Sequence, residues 1–413
     1  MKIINKKKII SKKNILSAIK IYKSPFWIYD YNKISKQISK LKKFDIIRFA
    51  QKSCSNIHIL KIMKEHGTKI DAVSLGEIER ALKAGFKGNC NDIVYTSDII
   101  DDETLIKVTK HKIPINIGSI DMIKKISKKS PNHKVWLRIN PKFGDGHNKK
   151  TNTGGKNSKH GIWNTKLAIN LIKKYKLKLI GLHMHIGSGA NYLHLKKVCK
   201  EMKKQAIMIN KKILFISAGG GLTIPYKIHE KKVNTKNYYK IWNKSKKKIE
   251  KKLKCKIKLE IEPGRFLVAE SGLLVSQIQS IKKVKNRTFV LVNVGFNDLI
   301  RPVLYGSYHY ISLITIDNRK LDYSKKIKVI IGGPLCESGD IFTQKENSKI
   351  YSIELPILKT GDYIIFHDVG AYGASMSSNY NSRPFIPEIL LKNNNLIQIR
   401  RKQTIKEMLS LEI

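Results

Sequence analysis

Several polar residues stand directly after short apolar runs, and their types suggest a reaction. Lys52 closes IIRFAQK, an otherwise apolar setting in which desolvation would lower its pKa and let it form a Schiff base with an aldehyde. Gly219, Gly220 and Gly221 close ILFISAGGG and can turn several backbone N–H groups toward one anion, as phosphate sites do. Ser188 in HIGSG offers a hydroxyl to the same kind of anion. His185 can lay its imidazole over an aromatic ring, and Glu262 in IEPGR can pair with a pyridine nitrogen. A protonated pyridine is an electron sink. Asp71, Ser74, Arg138, His183 and Arg265 end neighbouring runs. Each residue alone also has an ordinary reading: Lys52 is one lysine among many, a glycine triplet is a turn, and His185 is a core histidine. Their joint position at the ends of apolar runs sets them apart.

Eight such runs follow one another: Ile46 to Lys52, Ile70 to Ser74, Ile93 to Ser97, Ile113 to Ser119, Val135 to Asn140, Leu179 to Gly187, Ile213 to Gly221 and Ile257 to Arg265. Most gaps between them carry apolar positions three and four apart, the period of a helix. Eight strands alternating with helices predict a (β/α)8 barrel, whose chemistry sits at the carboxyl ends of the strands. The run KSKKKIEKKLKCKIK keeps Ile249, Leu253 and Ile257 near four apart, which predicts an amphipathic helix feeding a strand. The gap after VWLRIN opens with PKFGDGHNKKTNTGGKNSKHG, which has no periodicity and reads as an extended loop on the functional face. After Ser271 the rhythm changes to strands without long helices, as in a β-sandwich or small barrel. The expected division is a barrel over 34–272 and a β-rich second domain from 1–33 and 273–413.

Composition excludes other classes. Hydrophobic content of 41% with 27% charged residues is ordinary for a globular chain. No apolar run approaches the roughly 18 to 20 residues of a membrane-spanning helix. The basic start, MKIINKKKIISKKNILSAIK, has its apolar runs broken by lysine and reads as a mature cytosolic terminus, so a cytoplasmic location is expected. Five widely spaced cysteines form no C-x-x-C pair and indicate neither a disulfide framework nor a metal site. The formal net charge of +50 invites a nucleic-acid reading. Only ten of the 81 basic residues are arginine, however, and the lysines are spread through the chain beside many Ile and Asn. Specific nucleic-acid recognition is therefore not expected, and the charge reads as composition bias on solvated faces.

The motifs FAQKSCSN, DAVSLGEIERALKAGF, GLHMHIGSG, SAGGGL, EIEPGRF, GPLCESGD and HDVGAYGASMSSNYNSRP occur together and in order. As a set they resemble the pyridoxal 5′-phosphate-dependent diaminopimelate decarboxylases, of the alanine-racemase-like fold, from about Pro25 to Pro387. The resemblance implies a barrel plus a β-domain, pyridoxal 5′-phosphate as cofactor, and a homodimer with shared active sites. It implies that Lys52 holds the cofactor, His185 stacks on its ring and Glu262 pairs with the pyridine nitrogen. Ser188, Gly219, Gly220, Gly221 and the segment of Glu262, Pro263, Gly264 and Arg265 would surround the phosphate, with Tyr372 closing over it. Asp71, Glu77 and Arg138 would support these groups. Arg265, Arg301 and Tyr305 would hold the substrate carboxylate that is not removed, with Tyr372 also beside the substrate. Cys336, as proton donor, and Glu337, recognising the distal ammonium, would come from the other subunit.

The implied activity converts meso-2,6-diaminopimelate to L-lysine and carbon dioxide, the last step of lysine synthesis. Glu262 discriminates, because racemases of this fold place Arg opposite the ring nitrogen. Arg301 with Glu337 matches an amino acid at the far end of the substrate. Decarboxylases of the same fold acting on arginine, ornithine or a carboxylated polyamine form the alternative; a basic nucleic-acid-binding protein without catalysis stands further off. Two departures from the commoner pattern, Lys52-Ser53-Cys54 for Lys-Ala-Asn and Asn293 for an acid, touch neither proposed proton transfer.

Overall fold

The computed structural model describes residues 10–146, 148–317 and 319–413; the basic start over 1–9 lies outside them. The described residues form two units, one of Ser35–Ile224 with Lys232–Leu267, the other of residues 10–34 with Pro225–Lys231 and Val268–Ile413.

A first strand, β1 (Phe26–Asp30), belongs to the second of these units. The next eight are β2 (Ile46–Ala50), β3 (Lys69–Ala72), β4 (Ile93–Ser97), β5 (Ile115–Ile117), β6 (Lys134–Arg138), β7 (Lys178–His183), β8 (Phe215–Ser217) and β9 (Lys258–Ile261). They pair in parallel and in sequence order, and β9 returns to β2 to close the barrel. This is the barrel expected from the eight runs. Except for β4, which keeps its whole run, the polar ends of the runs have left the ladder, which places Lys52, His185, Gly219–Gly221 and Glu262 on the turns just past the strands. The helices between them bury one stripe each and, the helix Ile120–Lys129 excepted, start on side-chain caps. Ser74 Oγ accepts from Glu77 N at 3.2 Å, and Asp101 Oδ1 accepts from Thr104 N at 2.7 Å. Such caps contribute about 1 kcal/mol each. The lysine-rich run before β9 is helical over Thr235–Leu253, with Tyr238, Trp242, Ile249 and Leu253 buried. Trp136 of β6 stacks on Phe215 of β8 at 5.3 Å, and a Cβ on Gly181 of β7 would lie 2.6 Å from the Trp136 ring, so only glycine fits there.

The other unit is a nine-stranded mixed sheet. Its further strands are β10 (Gly272–Val284), β11 (Arg287–Val292), β12 (Ile311–Ile314), β13 (Lys326–Gly332), β14 (Ile353–Pro356), β15 (Tyr363–His367), β16 (Glu388–Lys392) and β17 (Asn395–Arg400). The main order is β14-β13-β11-β10-β1-β16-β17, with β15 joining β10 to β12. Phe26 and Ile28 of β1 share a core with Leu273, Val275, Ile365, Ile389 and Leu391, covered by Ile15 and Ala18 of the helix Lys12–Tyr22. Strands β16 and β17 form a hairpin around Asn393 and Asn394, both with positive φ, as a type I′ turn requires. No helix among the described residues is long and apolar enough to cross a membrane.

Candidate active site

At the carboxyl ends of β7, β8 and β9 a buried carboxylate is held from both sides. Glu262 Oε2 accepts from His183 Nε2 at 2.7 Å, and Oε1 accepts from Ser217 Oγ at 2.6 Å. Burial alone would raise its pKa, but His183, Ser217 and the charge of Arg48 outweigh burial and hold Glu262 at about 2. It is an anion at neutral pH. Asp71, at the end of β3, behaves oppositely: burial and the charge of Glu262 push it up to about 6, against Thr96, Lys52 and His183. Glu77 is pushed up to about 7, chiefly by burial and also by the charge of Asp71, against a hydrogen bond from Val73 N at 2.9 Å.

His185 is half-buried, and desolvation with the charges of Lys52 and Arg138 holds its pKa well below the ordinary value. It is a neutral ring. Among the described residues its Nδ1 has no hydrogen-bond partner, nor do His183 Nδ1 and Asp71 Oδ1, though all three atoms are buried. Gly220 lies against this ring, since a Cβ there would sit 3.4 Å from His185 Cε1 and 2.6 Å from Glu262 O. Gly219 and Gly221 have φ of +62° and +96° and equally leave no space for a side chain. The N–H of Gly219 donates to Ser217 Oγ at 3.0 Å, which leaves the amides of Gly220 and Gly221 as those that can face an anion. Beside them Arg265 Nη2 donates to Ser188 Oγ at 2.8 Å. Gly264 packs 3.0 Å from Ser53, measured from an ideal Cβ, and Pro263 O accepts from Ala50 N, tying the EPGR segment to the end of β2.

Lys52 follows β2 in a single 3-10 turn, Gln51–Ser53. Its neighbours Gln51 and Ser53 are buried, but Lys52 is exposed, which corrects the apolar setting its sequence suggested. Its charge nonetheless acts on Asp71, Glu77 and His185, so it belongs to the same cluster.

The long segment after β6 is stitched to this rim. Asp98 holds His160, accepts from Gly161 N at 2.9 Å and lies 3.7 Å from Arg138 Nη1. Thr153 N donates to Ile186 O at 3.0 Å, Thr153 Oγ1 to His185 O at 3.3 Å, and Ser188 N to Thr151 O at 3.1 Å. The segment thus fixes the backbone that carries His185 and Ser188.

In the other unit Arg301 is 1% exposed at the start of the helix Arg301–Tyr305, so it is not a surface ion-pair residue. Tyr305 is half-buried, and Tyr372 is half-buried with φ +56°. Cys336 and Glu337 are exposed, on a turn held by Cys336 N donating to Asn381 Oδ1 at 2.8 Å. Sequence reasoning overlooked Ser217, Arg48, Glu260 and Asp98. The available signal was a polar residue on the same strand face as an assigned one, as Glu260 is with Glu262.

A barrel with an anionic glutamate, a neutral histidine face, a glycine cradle and a lysine at its strand ends defines the pyridoxal-dependent decarboxylases, and the family model for their pyridoxal binding domain matches residues 31–269. The diaminopimelate decarboxylase of Buchnera aphidicola subsp. Schizaphis graminum is 65% identical, over 97% of this chain and 96% of its own. A crystal structure of diaminopimelate decarboxylase matches with a TM-score of 0.96 at 51% identity, covering 99% of this chain and 98% of that one. The Helicobacter pylori enzyme complexed with L-lysine matches at 0.84 and 31%, covering 96% and 99%. This chain belongs to the diaminopimelate decarboxylase family.

The residues present fit pyridoxal 5′-phosphate. Glu262 has lone pairs to spare for a protonated ring nitrogen, and the glycines leave room where any Cβ would collide.

Proposed function

We infer that this chain decarboxylates meso-2,6-diaminopimelate to L-lysine and carbon dioxide, the last step of lysine synthesis, with pyridoxal 5′-phosphate. The observation that carries the reading is Glu262, kept anionic between His183 and Ser217 at the barrel rim. When bound, the cofactor supplies an electron sink for the pair left as the carboxylate departs. Glu262 keeps the ring nitrogen protonated. His185 offers a flat, uncharged face, and Asp71, Glu77 and Arg138 set the charge around it. Lys52 anchors the cofactor through its amine. The amides of Gly220 and Gly221, Ser188 and the Pro263–Gly264–Arg265 turn hold the phosphate, with Tyr372 beside it.

Arg301, Tyr305 and Arg265 hold the carboxylate that is retained, an assignment supported by the burial of Arg301 and by the fork geometry of arginine. The enzyme acts as a cytoplasmic homodimer with shared sites. The thiol of Cys336 of the partner subunit returns a proton to the carbon that lost carbon dioxide, and Glu337 of the partner subunit receives the distal ammonium. The exposure of both residues within one chain supports that placement.

Carbon dioxide release from meso-diaminopimelate, ornithine and arginine tests reaction and substrate together. Release from diaminopimelate alone is expected; comparable release from ornithine or arginine would refute the substrate. Mixing inactive Lys52→Ala chains with inactive Cys336→Ala chains should restore part of the activity, and no recovery after verified subunit exchange would refute shared sites.

A further inference from the structure

We propose that Tyr226 is a positioning residue that fixes the plane of the Arg301 guanidinium and thereby sets selectivity for substrates with a distal carboxylate. The proposal rests on the reading of Arg301 as the residue that binds that carboxylate. Tyr226 belongs to Pro225–Lys231, the short segment that groups with the unit containing Arg301 although its flanking residues belong to the barrel. The Arg301 Cζ stands over the Tyr226 ring, 5.4 Å from its centroid. From a second direction the His309 ring meets Tyr226 edge-on, at 5.7 Å and 90°. His309 is itself oriented, its Nδ1 donating to His367 O at 2.9 Å. Arg301 Nη2 donates to Ser307 Oγ at 3.1 Å. The four residues form a chain of contacts running from a β15 carbonyl to a buried guanidinium.

A guanidinium has two faces and an edge. Its N–H groups all lie in the plane, so carboxylate is bound at the edge, while an aromatic ring is bound at a face. Tyr226 packs against the guanidinium, whose Cζ stands over the ring, while Ser307 accepts one edge N–H, so ring and hydroxyl together hold the orientation of the group. Arg301 could still carry its charge without Tyr226, but its edge would no longer be aimed. The loss would fall on recognition of the retained end of the substrate, which the product L-lysine shares and 1,5-diaminopentane lacks.

The test compares Tyr226→Leu, Tyr226→Met and Tyr226→Phe in the cofactor-loaded enzyme. For the two non-aromatic variants KM for meso-diaminopimelate should rise about tenfold with kcat within threefold, about what one aimed interaction is worth. The calorimetric dissociation constant of L-lysine should rise in parallel, while that of 1,5-diaminopentane stays fixed. Tyr226→Phe, which keeps the ring, should retain both constants within twofold. The proposal is overturned if Tyr226→Leu and Tyr226→Met keep KM within twofold, if L-lysine and 1,5-diaminopentane weaken equally, or if Tyr226→Phe is as impaired as the others. The Tyr226→Phe arm decides alone should the smaller side chains prevent folding. Arg301→Ala separates the two levels: an unchanged KM there refutes the carboxylate reading itself, whereas a raised KM with normal Tyr226 variants refutes only the positioning role.

Discussion

Two buried charge clusters centre on glutamates two residues apart, one on β9 and one just past its end, and they are built differently. Glu260 of β9 meets Arg48 of β2 in a two-pronged pair, Nε to Oε2 at 2.8 Å and Nη2 to Oε1 at 2.9 Å, with Arg48 Nη1 also donating to Ile70 O at 3.2 Å. Both side chains are 1% exposed or less. Around Glu262, by contrast, the atoms His183 Nδ1, His185 Nδ1 and Asp71 Oδ1 are buried without a hydrogen-bond partner among the described residues, and the pKa values of Asp71 and Glu77 are raised while that of Glu262 is depressed. The deep pair closes its own hydrogen bonding, as a scaffold element must. The rim cluster keeps unspent donors and acceptors and holds neighbouring carboxyls in unlike protonation states, which is how a site waits for a ligand.

The contrast can be broken in four places. Lys52→Ala should lower turnover on the order of 10⁴-fold or more and remove the visible absorbance of bound cofactor, while melting of the apoprotein stays within a few degrees. Arg48→Met leaves Glu260 charged and unpaired, so chemical denaturation should show a loss of about 3–5 kcal/mol; Arg48→Met with Glu260→Leu should recover most of it. Glu262→Ala should cost about 100-fold in kcat, with a smaller effect on stability than Arg48→Met.

The smallest effect concerns pH. Glu77 binds its proton more tightly folded than unfolded, so its contribution to stability is full below the ordinary glutamate range and is lost as pH rises toward about 7. Glu77→Gln abolishes that loss. The apoprotein variant should therefore gain about 1–2 kcal/mol over the parent at pH 8 relative to pH 5, read from denaturant midpoints. An equal difference at both pH values would place Glu77 among ordinary surface carboxylates.

The barrel was legible because each strand is a run of Ile, Val and Leu ended by a polar or glycine cluster, and its helices keep a clean period. The hairpin of β16 and β17 was overlooked although the pattern EILLK-NN-NLIQIR carries it, with asparagines that tolerate positive φ at the turn. Strand β14, IELP, is four residues long and gives no periodic signal. For the site, residue types at strand ends singled out Glu262 and His185, and the fold brings both to the same end of the barrel, with Gly220 against each. Burial was less legible. Lys52 is exposed although its flanking run is apolar, because the single turn after β2 decides it, whereas Arg301, read as a substrate-binding residue, is buried. Asp98 and Tyr226 act through long-range contacts that no local spacing announces.

The stitching of 141–161 to the backbone of His185, Ile186 and Ser188 has a consequence for hydrogen exchange. The amides of Asp145 and Thr153 both end on Ile186 O, and that of Ser188 on Thr151 O, so none can open without loosening the ring face and the phosphate turn together. These amides should exchange as one cooperative group, and their protection should rise together on loading with pyridoxal 5′-phosphate. The loop is thus a reporter strip, from which occupancy of the barrel can be read without an assay of turnover.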